Sequence, residues 1–261
     1  MPLAARRVVR TIAVASGQRE NATNKCLSTV RTPKKEMAET RENPWLDLPS
    51  EPPYVLPCDR ESLGQLIQEI KAKDHAINLL SFPEPFIGNC ASANVLLLSL
   101  NPGDSPDDTK VHADPAFREA SLCNLRHGPQ EYPFYPLNPK LKGTPCDNYW
   151  TSHVRWLLEH PELNRQRIAE RLCVVKWFPY HSKKSGVPRT LLLPSQQYSF
   201  DLVRQAIGRK LIVGMRAKSR WEKVDARLAD VPYLKKTQSP YISPNNCGNE
   251  LFEKIVESLK C

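Results

Sequence analysis

Asn94-Val95-Leu96-Leu97-Leu98-Ser99-Leu100, followed at once by Asn101-Pro102-Gly103, is the stretch on which the fold turns. A short run with consecutive apolar residues, here Val95 to Leu98, not alternate ones, is the pattern of a strand buried on both faces, as in a parallel sheet. Pro and Gly then end it with a sharp turn. Two similar runs follow, Leu172 to Trp177 and Lys210 to Met215, with a weaker fourth from Val231 to Thr237. Helical periodicity separates them at Tyr149 to Leu158, Ser199 to Ile207 and Ala217 to Asp225, and a last helix is expected from about Asn249 to Leu259. Strand and helix in alternation predict a parallel sheet covered on both faces, an α/β fold. Ligands of such sheets sit at the carboxyl ends of the strands, so the loops beginning at Asn101, Phe178, Arg216 and Gln238 are expected to border one crevice.

Working outward, Leu63, Leu66, Ile67 and Ile70 fall on one helical face, with Asp59 placed ahead of them as an N-cap. Residues 1 to 44 lack sustained periodicity and hold few large apolar side chains, so a disordered basic tail is expected there, with the folded domain over 45–261. Arg6, Arg7 and Arg10 among apolar residues resemble a mitochondrial transit peptide; a plain flexible tail, or a working start at Met37, explains them as well. The formal charge of +9 is concentrated in this segment: residues 1 to 36 carry +6, the remainder only +3. The total is therefore weak support for a polyanionic partner, which needs positive charge on one face.

No apolar run approaches the roughly 18 residues of a membrane span, so no membrane association is expected. The eight cysteines, at 26, 58, 90, 123, 146, 173, 247 and 261, include no Cys-x-x-Cys pair and no His at ligand spacing. That pattern predicts no zinc or iron–sulfur site, and reduced thiols in an intracellular protein, cytoplasmic or nucleoid-associated. No cofactor or metal is expected. No Gly-x-Gly-x-x-Gly or Walker-type loop supports an unrelated nucleotide-binding domain, because Asn-Pro-Gly has too few glycines to cradle a pyrophosphate.

Phe86-Ile87-Gly88-Asn89, the strand, and Leu100-Asn101-Pro102-Gly103-Asp104-Ser105-Pro106 together resemble the first active-site motif of the uracil-DNA glycosylase superfamily. The likeness is to its mismatch-specific and single-strand-selective branches, whose strand also ends in a hydrophobic residue followed by Asn-Pro-Gly. Under that resemblance Asn101 positions the water that attacks the sugar, while Pro102 and Gly103 turn backbone N–H groups toward the base. Breaking an N-glycosidic bond develops positive charge on the sugar and negative charge on the base, which requires an oriented water on one side and donors on the other. The competing reading of Asn-Pro-Gly is a tight turn and nothing more.

Asp147-Asn148-Tyr149-Trp150 resembles the Asn-x-aromatic-Trp that opens the corresponding helix in the mismatch-specific branch, which places Asn148 against the base or DNA. Tyr149 and Trp150 fit equally as core residues. Tyr132-Pro133-Phe134-Tyr135-Pro136-Leu137 lies in a loop of about forty residues, and long ordered loops tend to be functional. Phe134 or Tyr135 is the candidate to stack on a flipped base, with plain loop packing the alternative.

Val174-Val175-Lys176-Trp177-Phe178-Pro179-Tyr180-His181 is similar to the Val-Lys-x-x-Pro stretch of the thermophilic iron–sulfur branch, without its cysteines. The Asn that reads uracil there falls at Cys173, which cannot donate and accept in the same way. His181, Lys183 and Lys184 are candidates for phosphate contact, or solvated charges. The family's final His-Pro-Ser loop corresponds to Thr237-Gln238-Ser239-Pro240-Tyr241-Ile242-Ser243-Pro244-Asn245, which has no histidine. Gln238 or Asn245 is left to stabilise the leaving base, and Ser239 and Ser243 to meet phosphate; Arg216 and Lys218 either flank the crevice or are surface charges.

The resemblance covers most of residues 80 to 255. It implies a three-layer α/β/α sandwich around a mainly parallel four-stranded sheet, acting as a monomer. It also implies a monofunctional DNA glycosylase that flips a deaminated or mismatched base from single-stranded or mismatched DNA. The alternative is a non-catalytic nucleic-acid or nucleotide-binding module on the same fold.

Overall fold

The run at 94–100 becomes an interior strand, as its uninterrupted apolar character requires. The computed structural model of the protein describes residues 41–188 and 190–261. Its strands are β1 (Ile77–Asn78), β2 (Phe86–Ile87), β3 (Val95–Ser99), β4 (Leu172–Lys176), β5 (His181–Ser182) and β6 (Leu211–Gly214). The main sheet has the order β2-β4-β3-β6, while β1 and β5 form a separate antiparallel pair. β3 is parallel to both neighbours, with Leu97 opposite Val174 on one side and Val213 on the other.

The fourth strand is not the expected one. Val231 to Thr237 contributes a single parallel bridge, Tyr233 to Gly214, and the sheet's fourth member is β2, antiparallel to β4. The sheet is therefore mixed. Two residues between Pro85 and Gly88 give no periodicity to read, and Gly88 holds φ 99°, a left-handed value that ends the strand. A Cβ there would also run into the Leu172 carbonyl.

The helices are α1 (Arg60–Glu69), α2 (Asp108–His112), α3 (Pro115–Leu125), α4 (Pro145–His153), α5 (Arg155–Leu158), α6 (Arg165–Arg171), α7 (Gln196–Ala206), α8 (Lys218–Val224), α9 (Pro244–Cys247) and α10 (Asn249–Lys260). Successive strand residues point to opposite faces, and the two faces build two apolar clusters. Leu96, Leu98, Cys173, Val175 and Ile212 pack with Leu63 and Leu66 of α1, Phe200 and Val203 of α7 and Trp221 of α8. Val95, Leu97, Val174 and Val213 pack with Phe117 of α3, Trp150 of α4, Ile168 of α6 and Ile255 of α10. Burial on both sides is what the Val/Leu-rich strands are for, each large side chain contributing about 1.5–3 kcal/mol.

Several local expectations change. The loop expected between the first two motifs contains α2 and α3; Asp114, whose side chain accepts from Ala116 N and Phe117 N ahead of Pro115, is the cap that starts α3. Asp59 caps nothing. It is fully buried and accepts hydrogen bonds from the Tyr180 hydroxyl at 2.8 Å and from the Ser195 N–H and hydroxyl at 3.0 and 2.6 Å. Reduced thiols are the expectation throughout, but Cys90 and Cys173 form a disulfide, their Cα atoms 5.6 Å apart and 83 residues distant in sequence, a pairing that wide spacing in sequence does not reveal. Cys26, and the segment as far as residue 40 for which a disordered tail is expected, lie outside the described residues. Residues 41–44 are tied down: Arg41 pairs with Asp201, and Asn43 donates to the Leu125 carbonyl. Among the described residues no helix is long and apolar enough to cross a membrane.

Candidate functional site

The carboxyl ends of β3, β4 and β6 open on a cavity of about 580 Å³, within the usual size range of small-molecule sites. Asn101, Pro102, Gly103, Arg216 and Gln238 line it, as the strand-end rule predicts. Phe178 does not, being fully buried in the core. The chain after it reaches the cavity three residues later, at His181.

β5 is laced to the Asn-Pro-Gly turn. Ser182 N–H donates to the Pro102 carbonyl at 3.2 Å, and the His181 Nδ1–H donates to the Gly103 carbonyl at 2.5 Å. The Asn101 carboxamide nitrogen donates to the Pro102 carbonyl at 2.7 Å and to Ser182 Oγ at 3.1 Å. The carboxamide is thereby fixed by its nitrogen, and among the described residues nothing donates to its Oδ1. Since a carbonyl only accepts, the neutral His181 ring carries its proton on Nδ1 and presents a bare lone pair at Nε2. His181 is 3% exposed, and Nε2 is buried without a partner. It is a cavity residue, not the surface phosphate ligand that its neighbours Lys183 and Lys184 suggest.

Beneath His181 lies a buried polar floor. Glu84 accepts from the Tyr135 hydroxyl at 2.8 Å and is ion-paired to Lys176, the last residue of β4. Burial alone raises the Glu84 carboxyl; the Lys176 ammonium, with His181 and His112 beyond it, outweighs that and holds it at about 2. His112 on α2 accepts the Phe82 N–H at its Nδ1, 2.8 Å away, so its neutral ring presents Nε2–H. Burial first, and the neighbouring His181 next, push this imidazole down to about 3. Asp108, its Oδ2 3.8 Å from His181 Nδ1, is raised by burial and accepts from Ser105 N–H at 2.7 Å.

Glu84, His112 and His181 bring ligand-type atoms within 4.8 Å of one another, as do Asp104, Asp108 and His181. Their hydrogen bonds fit protons better than a metal ion. A metal-bound imidazole donates its remote N–H to an acceptor, whereas His112 accepts there. Glu84 is already committed to Lys176 and Tyr135. In the second group the His181 nitrogen nearest Asp108 is the one that donates to Gly103.

The remaining expected site residues divide sharply. Phe134 and Tyr135 are core residues, fully buried behind the cavity lining and not part of it; Phe134 packs edge-on to Trp150, and Tyr135 serves Glu84. The Pro-rich turn carries their rings inward because it lies against α4. Asn148 is exposed on the outer side of α4, where it donates to the Gly143 carbonyl, while both aromatics of that motif line the cavity, Trp150 buried and Tyr149 41% exposed and stacked on His153 at 3.8 Å. Asn245 is exposed outside the cavity, and Ser243 is buried as the cap of α9, accepting from Asn246 N–H. Ser239 gives its carbonyl to Asn246, whose side chain also accepts from Lys236 and donates to Tyr241. One asparagine thus shapes the final loop from within. Only Gln238 from that loop lines the cavity, beside Arg216, which donates to the Thr237 and Gln238 carbonyls. Lys183 and Lys184 sit on the rim, both paired with Asp74 at 3.3 and 2.9 Å.

Sequence reasoning misses Glu84, His112, Asp108 and Lys176. Lys176 carries a readable signal, a charge closing an otherwise apolar strand at the end where ligands bind; Glu84 and His112 carry none. A larger cavity of about 860 Å³ lies at the opposite, amino end of the strands, between Asn94, His127, Tyr198 and Arg209. Its wall holds no buried unpartnered polar side chain among the described residues. Compared with known proteins, the chain matches no family model, no curated protein and no solved structure.

Proposed function

We propose that the protein is a DNA glycosylase that hydrolyses the N-glycosidic bond of a deaminated or mismatched base, as a step of base-excision repair. One observation carries the reading: the Asn101 carboxamide, pinned by its nitrogen to Ser182 and with no donor on its oxygen among the described residues, lines the cavity of about 580 Å³ at the carboxyl end of the sheet. That oxygen holds a water by accepting one of its hydrogens, leaving the water's lone pair for the sugar carbon. The negative charge of the departing base meets the Lys176 ammonium and the His112 Nε2–H, groups already desolvated and therefore effective. Tyr149 offers the open ring on which a flipped base stacks, in place of Phe134 and Tyr135. Flipping costs a few kcal/mol and least in mismatched or single-stranded DNA, so these are the preferred substrates. No cofactor takes part, and the protein acts as an intracellular monomer.

A non-catalytic nucleic-acid or nucleotide-binding module is the second reading. It is favoured by the final loop, which brings no histidine and only Gln238 to the cavity.

The test incubates the protein with oligonucleotides containing uracil, hypoxanthine, xanthine or a G·T mismatch and scores alkali-labile abasic sites. Asn101→Ala is expected to lower the rate by about 100-fold or more, the usual loss when an element orienting a reacting group is removed. Full activity in that variant removes Asn101 from the mechanism. DNA bound with no product from any substrate selects the second reading.

A further inference from the structure

We infer that His181 is the proton acceptor of this site, its Nε2 taking a proton from the water that Asn101 Oδ1 also holds. The inference rests on the glycosylase reading and adds to it a residue whose sequence neighbours point to phosphate instead.

Three observations converge. The Gly103 carbonyl fixes the proton on Nδ1, so the unpartnered nitrogen of the neutral ring is the basic one. Nε2 is buried with no protein partner, an expensive state for a polar atom unless a ligand or water meets it. His181 and Asn101 are also held together by the hydrogen bonds between β5 and the Asn-Pro-Gly turn, so the two free acceptors are presented by one rigid unit. A water that gives one hydrogen to each acceptor has its oxygen lone pair directed away from both. Ser185 Oγ is a second buried and unpartnered polar atom of a residue that lines the same cavity.

The step balances. An O–H bond of the water breaks and its proton passes to Nε2; the oxygen pair forms the bond to the sugar's anomeric carbon; the N-glycosidic pair leaves with the base. The imidazolium returns its proton to solvent and the base anion takes one up, so the sum is hydrolysis.

The groups around the ring suit a transient positive charge. Asp108 approaches Nδ1 at 3.8 Å from α2, with Asp104 in the same cluster. Glu84 and neutral His112 form a second cluster with His181, and Lys176 is ion-paired to Glu84. Lys183 and Lys184 stand on the rim against Asp74. Cys146 and Tyr149 of α4 add uncharged groups, the thiol being pushed by burial to about 12.

The experiment compares single-turnover cleavage by the full chain and by His181→Gln, from acid to neutral pH, on the best substrate found for the wild type. Binding of the same oligonucleotide with a non-hydrolysable 2′-fluoro sugar is measured in parallel. Expected are a loss of about 100- to 10,000-fold in rate with binding changed less than about threefold, and a wild-type acid limb of about tenfold per pH unit that His181→Gln lacks. A variant that keeps its rate, or keeps the acid limb, overturns the inference while leaving the glycosylase reading intact. A wild type that yields no abasic product overturns both. Should His181→Gln not fold, imidazole nitrogen NMR of the wild type decides: a ring protonated on Nδ1 supports the assignment, and one protonated on Nε2 removes it.

Discussion

Asp59 and Glu84 are both buried carboxylates, and the protein treats them in opposite ways. Asp59 is enclosed by neutral donors, the Tyr180 hydroxyl and the Ser195 N–H and hydroxyl, so its lone pairs are taken by groups whose only other task is to hold chain segments together. Glu84 is met by a full counter-charge, Lys176, and its surroundings stop short of closing: His181 Nε2 is left unpartnered at a cavity. A closed polar network ties β4's following loop to the start of α1 and α7. An open one retains hydrogen-bonding capacity for something that is not protein, and that is the physical mark of a site.

Removing a carboxylate from the closed network is expected to have the largest effect on folding. Asp59→Ala leaves a hydroxyl, a second hydroxyl and an N–H without their charged acceptor, a cost of about 4 kcal/mol in urea unfolding. Cleavage activity below the unfolding midpoint is expected to persist. In the open network, Lys176→Met strands a buried Glu84 charge at about 3 kcal/mol, and adding Glu84→Gln recovers most of that, because a pair removed together leaves no lone ion. Activity is not recovered with stability. A double variant that regains both would place the ion pair on the structural side of the comparison, with Asp59.

The pH dependence of stability separates the two networks further. The His112 imidazole is held at about 3 in the fold, whereas free histidine titrates near 6.5. Between those values the unfolded chain holds the extra proton, so stability rises with pH across the window and is lost as pH falls from about 6.5 toward 3. One proton corresponds to a slope of about 1.4 kcal/mol per pH unit. His112→Asn keeps an acceptor for the Phe82 N–H but does not titrate, and is expected to remove about one proton's worth of slope between pH 5 and 6.5. That range stays above about 4.3, where unfolded glutamates begin to take up protons and Glu84 adds its own loss. An unchanged slope in His112→Asn means the imidazole is charged in the fold, and the floor is less enclosed than Glu84 and Phe82 make it.

The centre of the sheet is legible because burial on both faces makes β3, β4 and β6 apolar up to their last residues, Ser99, Lys176 and Gly214, a signal written in the chain itself. β2 is not, since two residues paired at an edge leave no period. At the site, Asn101 is found through the turn that follows its strand, and Gln238 and Arg216 through the rule of strand ends. His181 stands out in the sequence for the wrong chemistry: two lysines after it read as a solvated loop, while the pairing of β5 with β1, which buries it, joins residues about a hundred positions apart and has no local trace. Phe134 and Tyr135 fail for the complementary reason. An aromatic, proline-rich stretch looks alike whether its rings face a ligand or α4, and only the tertiary packing of Tyr135 on Glu84 distinguishes them.

The smallest expected effect tests where the open network meets its partner. Lys183 and Lys184 share Asp74 on the cavity rim and are mostly exposed, so their ion pairs are screened by solvent and contribute little, and Lys183→Ala with Lys184→Ala should leave the urea midpoint almost unmoved. If a nucleic-acid strand crosses this rim, the same double variant weakens its binding and lowers the dependence of log affinity on log salt by about 0.7 for each single-strand phosphate that no longer meets a lysine. A slope equal to the wild type's assigns both lysines to Asp74 alone and moves the phosphate path to the other side of the cavity, where Arg216 braces the Thr237 and Gln238 carbonyls. The distinction is the one that separates Asp59 from Glu84: charges whose partners are all within the chain change stability when removed, and charges held toward open space change binding.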